Sequence, residues 1–385
     1  MSPLDWFKKE KPLLSMQSMG GGAAGYMISG APPAIDATGG TKTTPGDGYV
    51  YHQFLSSGSF VVNNAGKGPD GIIDLCVVGG GGGAGNDKGG GGGAGGFRIT
   101  TVDIATAGSG SYTCAVGSGG VGNPNTGNGP QRSQGQPGGS SYFAPPTSPI
   151  QVLVGGGGAG GAQYGSPPNN NSPGDPGQPY PFPTASPPHP NSVTFPGSGG
   201  GSRRIADASY NNAGEGAGSS FNSFPGGKGT PSCSGGGGGA GTDSAGPVSG
   251  GPGRGGTGIQ LPWALPTWGW GQNNDAGLSG ASPTSPNPTR PAGPGGDLPW
   301  GYGWFCGGGN GGAGNYPHLE LPGYAGSGAG AWPGSPYGGP PSNGSDGWGY
   351  WAAPGTGSGG GGTGSPSTQG GKGGSGAVMI RYPVG

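Results

Sequence analysis

The sequence predicts a mostly irregular, all-β protein: a small antiparallel β-scaffold continued into a packed bundle of polyglycine II helices, with long Pro/Ser/Trp-rich loops and little or no α-helix. Three observations predict it. The stretch Ile72–Phe97 reads IIDLCVV, GGGGGAG, Asn86-Asp87-Lys88 and GGGGGAGGF, so an apolar strand feeds one glycine run, reverses, and returns through a second. Glycine clusters recur at 155–161, 235–241, 307–314, 323–330, 355–364 and 370–376. The chain then closes on another apolar strand, GAVMIRY at 376–382.

Composition separates this pattern from simple disorder. With 107 Gly and 44 Pro among 385 residues, the chain passes the level at which low-complexity disorder is the default. Yet charged residues are only 8% and aromatics reach 9%, the reverse of what keeps a chain unfolded. No strict Gly-X-Y period is present, which excludes a collagen triple helix. A formal net charge of −1 gives no electrostatic footprint for nucleic acid or an anionic membrane. No segment approaches the apolar length that membrane insertion requires.

Residues 1–35 read as a separate arm. Ser2 and Pro3 can open a short helix carrying Leu4, Trp6 and Phe7, followed by Leu13 and Leu14. This arm either packs back on the domain or docks into another subunit, and its exposed Trp-Phe-Leu character favours docking. As a signal peptide it is poor, because Asp5 and Glu10 interrupt the basic start and Gln17 and Gly20–Gly22 break the apolar run. Four cysteines are too few for a disulfide framework, and Cys76 and Cys114 lie within apolar strands as expected buried thiols.

Residues 36–154 read as a β-rich scaffold. YVYHQFL (49–55) and SFVV (59–62) are expected to pair as a hairpin about Ser56-Ser57-Gly58. FRITTVDI (97–104) and SYTCAV (111–116) are expected to form a second hairpin about 107–110. QVLV (151–154) again leads into glycine.

Residues 155–385 read as the glycine lattice with its loop excursions and the closing strand. Glycine and proline each oppose α-helix, by roughly 1 and 3 kcal/mol relative to Ala. Glycine runs can instead adopt the left-handed polyproline II geometry, whose N–H and C=O groups point outward. Without Cβ atoms such helices approach closely enough to bond to one another, pairing buried polar groups without an apolar core. Ala84, Ala94, Ala159, Ala240 and Ala313 are the small residues the lattice can admit. The excursions 163–196, 260–306, 315–322 and 331–354 are long enough to be functional or disordered.

Enzyme chemistry is not spelled. Asp74 to Gly85 imitates a dinucleotide-binding turn, but five further glycines stand where the fingerprint needs a helix. No Gly-Lys pair is followed by Ser or Thr, as a phosphate-binding loop requires. His52, His189 and His318 are isolated from Cys and carboxylates, so no metal site, catalytic dyad or cofactor is expected. One constellation stands out: Trp263, Trp268, Trp270, Trp300, Trp304, Trp332, Trp348, Tyr350 and Trp351. These rings either wall the lattice, supplying apolar area the chain otherwise lacks, or form a receptor-facing surface.

The order GDGYVYHQFLSSGSFVV, IIDLCVVGGGGGAG, GGGGGAGGFR, SYTCAVGSGG, QVLVGGGGAGG and GGKGGSGAVMIRY resembles the glycine-rich domain of bacteriophage virion proteins. That domain is best known from tail-fibre adhesins and from structural proteins of marine phages, and the resemblance covers roughly residues 48–382. It implies packed polyglycine II helices, a location on the virion surface, attachment to a larger virion part, and recognition of a host surface through the loops joining the helices; residues 1–35 are expected to make the attachment to tail or capsid proteins, and the host-surface target is expected to be a glycan or outer-membrane protein. A homo-oligomer is compatible with it; nucleic acid and membrane insertion are not expected. The alternatives are a purely structural capsid or tail decoration, and a secreted bacterial surface protein.

Overall fold

The structure is a computed structural model that describes residues 34–86, 89–123, 134–146, 152–162, 193–195, 197–201, 224–229, 234–241, 253, 255–256, 258–265, 304–309, 311–312, 331–332, 349, 351–352, 354–363 and 369–385. Its strands are β1 (Ile35–Thr38), β2 (Thr41–Thr43), β3 (Tyr49–Phe54), β4 (Gly58–Ala65), β5 (Ile72–Val78), β6 (Phe97–Asp103), β7 (Gly110–Ala115), β8 (Ser141–Ala144), β9 (Val152–Val154), β10 (Val193–Phe195), β11 (Ile259–Gln260), β12 (Trp304–Phe305), β13 (Ala331–Trp332), β14 (Trp351–Ala352) and β15 (Ala377–Pro383). The one α-helix among the described residues is α1 (Ile104–Ala107), whose cap Asp103 accepts the Thr106 amide. The protein is therefore mostly β, with almost no helix.

Two sheets form. One has the order β1-β4-β7-β8-β9-β10, antiparallel except that β10 lies parallel to β9. The other has the order β2-β3-β15-β5-β6 and is antiparallel throughout. Alternation along each strand decides what lies between them. Ile73, Leu75 and Val77 of β5 and Val378, Ile380 and Tyr382 of β15 meet Phe60, Val62, Tyr112, Cys114 and Phe143 of the facing sheet. Each large side chain buried there contributes roughly 1.5–3 kcal/mol. The opposite face of β5 and β15, with Cys76, Val78, Ala377 and Met379, builds a second cluster with Leu261, Trp263, Leu265 and Phe305.

Both hairpins expected from the sequence are corrected. β3 pairs with β2 and β15, whereas β4 pairs with β1 and β7. Likewise β6 pairs with β5, and β7 with β4 and β8. In both cases the short connection crosses between sheets instead of closing a ladder. Crossing places Phe54 and Phe60, or Val102 and Tyr112, in the shared core from opposite sides.

The glycine runs continue directly out of the strands. Residues 79–86 leave β5 and residues 89–96 enter β6, with amides of Gly79, Gly82 and Gly85 donating to carbonyls of Gly96, Gly93 and Gly90 at 2.8–3.1 Å. The intervening amides take other partners: Gly80 and Gly83 donate to Gly139 and Gln136, and Gly81 and Ala84 to Gly374 and Gly371. The partner thus changes with a period of three. Carbonyls of the same run accept from Gly157 and Gly160, from Gly120 and Asn123, and from Gly360. Row 79–86 is consequently bonded to six other rows, and all of it is buried.

Close approach explains the residue type. A methyl on Gly82 would lie 2.0 Å from the carbonyl oxygen of Gly158, and one on Gly92 2.0 Å from that of Gly82. Neither residue has a positive φ, so what demands glycine here is the missing Cβ and not unusual backbone geometry. Ala84, Ala94, Ala159 and Ala240 are fully buried within the rows, while Ala313 lies outside the described residues.

Candidate functional site

The directions of the rows give the molecule two distinct ends. Connections 87–88 and 124–133 each join a row leaving one strand to a row entering the next, β5 to β6 and β7 to β8. Row 357–363 runs antiparallel to row 89–96, pairing Gly357, Gly360 and Thr363 with Gly95, Gly92 and Gly89, and row 369–376 then returns into β15. Rows 224–229 and 234–240 are joined in the same sense through 230–233. All four connections, 87–88, 124–133, 230–233 and 364–368, therefore have both flanks at the end of the rows remote from the sheets.

The opposite end carries the boundary of the N-terminal arm. Ile35 pairs with Ala65 at the end of β4 away from the rows. Gly385 follows β15 to the same place, where a methyl on it would lie 2.1 Å from the Cβ of Ala34. Leu4, Trp6, Phe7, Leu13 and Leu14 lie outside the described residues, but the point from which they depart is fixed.

Of the tryptophan and tyrosine candidates, Trp263 is the best placed. It is 9% exposed and belongs to the cluster on the outer face of the second sheet. Register sets its partners, since Arg381 of β15 stands opposite Tyr51 of β3 and Asp74 of β5. Arg381 Nε donates to Asp74 Oδ2 at 2.7 Å, while its guanidinium lies 4.5 Å from the Tyr49 ring centre and 5.1 Å from that of Trp263. Tyr51 donates its hydroxyl to Asp47 Oδ2 at 2.6 Å. That bond holds the Asp47 carboxyl below its ordinary range, and burial, followed by Asp47, pushes the Tyr51 phenol up. The arrangement is a clamp that fixes the turn Leu261–Leu265 against the sheet.

Trp304 and Phe305 pair with Gln260 and Ile259, and Trp332 pairs with the half-buried Trp351. Both flanks of the tract 266–303, Leu265 and Trp304, are thereby attached beside the sheet, and not at the remote end of the rows. Trp268, Trp270, Trp300, Trp348 and Tyr350 lie outside the described residues. Sequence reasoning misses Arg381, Asp74, Tyr49 and Tyr51. The signal that points to them is a lone arginine on the same alternation as Met379 within an apolar strand.

His52 is fully buried, with Nδ1 2.7 Å from the Gly39 carbonyl and Nε2 3.1 Å from the Tyr382 hydroxyl. Burial lowers its pKa. Cys76, Cys114 and Cys306 are buried free thiols, and burial pushes Cys114 up to about 12. Among the described residues no group of three or more His, Cys, Asp or Glu converges as a metal site. No described helix is long and apolar enough to cross a membrane.

The profile of a glycine-rich domain family matches residues 56–147, which span β4 to β8 with the rows 79–86, 89–96, 117–123 and 134–140. No curated protein matches the sequence.

Proposed function

We propose that this chain is a non-enzymatic structural protein of a bacteriophage virion, a tail-fibre or adhesin-type component. Residues 1–35 anchor it to other virion proteins, and connections at the remote end of the glycine rows meet a host-surface glycan or outer-membrane protein. The observation that carries this reading is the polarity of the molecule. Ile35, where the arm ends, lies with Gly385 at one end, and the flanks of four row-to-row connections meet at the other. Between them the rows act as polyglycine II helices packed side by side, a reading supported by the threefold change of partner and the six bonded neighbours of row 79–86. At about 3.1 Å per residue, an eight-residue row makes a spacer of roughly 25 Å. Its stiffness comes from amide bonds instead of side-chain packing.

A second reading, a purely structural capsid or tail decoration, is favoured by the burial of Trp263 and the half-burial of Trp351. In that reading the aromatic residues are walls. One experiment separates the two. The full-length chain, fluorescently labelled, is incubated with cells of the phage's host beside a variant whose 124–133 connection is replaced by a short Gly-Ser link. Saturable binding lost in the variant supports the adhesin. An absence of binding by the intact chain, with the protein detected on purified particles, supports the decoration. Failure to find it on particles at all overturns both.

A further inference from the structure

Three of the outer rows differ from the inner rows in one regular respect. Row 117–123 exposes Ser118 and Val121, while Gly117, Gly119, Gly120, Gly122 and Asn123 are buried. Row 369–376 exposes Lys372 and half-buries Gln369 and Ser375, with Gly370, Gly371, Gly373 and Gly374 buried between them. Row 224–229 exposes Pro225 and Lys228 around the buried Gly226 and Gly227. In each, a side chain emerges at every third residue. The inner rows 79–86 and 89–96 show no exposed residue at any described position.

Rows 117–123 and 369–376 lie side by side, joined by Gly373 donating to Gly120 and Gly376 to Gly117, each at 2.9 Å. Their glycines have no room to spare, since a methyl on Gly119 or Gly122 would lie 1.8 or 1.9 Å from the carbonyl oxygen of Gly373 or Gly370. Among the described residues row 117–123 is bonded to three rows, 79–86, 134–140 and 369–376, against six for row 79–86. On its open side the main chain presents the same amide and carbonyl groups that bind rows together inside. A bare row there would be a template for further rows, as an unguarded edge strand is for further strands.

We infer that Ser118, Val121 and Lys372 end the lattice on this face, and that without them it takes a second copy of this chain through direct row-to-row amide bonds. The inference rests on the packed-row reading above and adds to it what limits lateral growth. A side chain at every third residue of this face holds an incoming main chain beyond hydrogen-bonding distance, because at glycines where rows touch, such as Gly119 and Gly122, a Cβ would already meet a neighbouring carbonyl oxygen.

The test uses the full chain carrying Ser118→Gly, Val121→Gly and Lys372→Gly together, with mass followed by sedimentation velocity over a range of concentrations. At least about a twofold rise in mass over the parent, increasing with concentration, is expected. Loss of Val121 removes an exposed apolar side chain, so ordinary hydrophobic association would move the other way. The Val121→Thr chain keeps the branch and should stay at the parent's mass; association of that variant overturns the inference. So does a parental mass for the triple variant while the 79–96 amides remain protected from hydrogen exchange. Should the triple variant lose that protection, Lys372→Gly alone is judged by the same mass criterion. Unprotected 79–96 amides in the parent itself would instead overturn the packed-row reading.

Discussion

Gly93 donates its amide to the carbonyl of Gly158 at 2.8 Å, and a methyl on neighbouring Gly157 would lie 2.1 Å from the carbonyl oxygen of Gly93. The two rows touch through main chain alone, with no volume left for a side chain. In an ordinary core apolar side chains fill the space between elements; here their absence lets the elements meet.

Substitution inside the rows should be costly in proportion to that contact. Gly238→Val places a branched side chain where even a methyl would lie 2.1 Å from the Phe224 carbonyl oxygen. Thermal or denaturant unfolding should show a loss of about 3 kcal/mol or more, or no soluble protein at all. Lys372→Ala, at an exposed third position, should stay within about 0.5 kcal/mol of the parent. Equal stability of all three chains would refute close packing of the rows.

Amide exchange reads the same contacts without mutation. Amides of 79–85, 89–96 and 157–161 that bond to other rows should exchange roughly a thousandfold or more slowly than free-peptide rates, the factor a stability of about 5 kcal/mol allows. Free-peptide rates there, measured by mass spectrometry or NMR, would mean that the rows do not persist in solution.

The last strand should be indispensable to the whole. β15 lies between β3 and β5, and its Val378, Ile380 and Tyr382 are in the inter-sheet core. Deleting residues 377–385 opens the middle of a sheet and removes the end to which row 369–376 is fixed. Circular dichroism of the truncated chain should show no cooperative melting transition. A truncated chain that melts like the parent would show that β15 is dispensable.

His52 should make stability depend on pH in a defined direction. Burial holds its folded pKa below the ordinary 6.5, so below that value the unfolded chain binds the proton more readily than the folded one. Stability from the neutral ring is therefore complete above about pH 6.5 and is lost as pH falls through the window beneath it. The melting temperature should drop from pH 7 towards pH 5, and His52→Gln should flatten that slope. An identical slope in the variant would assign the dependence to other groups.

Arg381 should hold Trp263 in place. Removing it with Arg381→Ala takes away the cation over the Trp263 and Tyr49 rings and leaves Asp74 without its 2.7 Å ion pair. The expected cost is about 1 kcal/mol, with a red shift of tryptophan fluorescence as Trp263 meets water. An unchanged spectrum would show that the clamp does not control the turn.

Several features are legible in the residues alone. Strand alternation in IIDLCVV and in the closing GAVMIRY marks both core faces, and β5 and β15 follow them within a residue. The buried state of Cys76 and Cys114 follows from the same alternation. Rows 117–123 and 369–376 carry an exposed or half-buried side chain every third residue, a period that becomes visible only once the buried positions between are known. The two expected hairpins do not form because local turn chemistry is the same for a reversal within one sheet and a crossing between two.

The sequence by itself determined that strands and glycine runs alternate, that the chain disfavours helix, and which faces of β5 and β15 are apolar. Tertiary structure alone decided that β3 and β4 part into different sheets, that Arg381 meets Asp74 and Trp263, and which of the many glycine runs lie against each other. The reason is physical. Alternation and propensity are written residue by residue, whereas a main chain without side chains offers every neighbour the same amide and carbonyl, so the choice among rows falls to the strands that fix where each row begins.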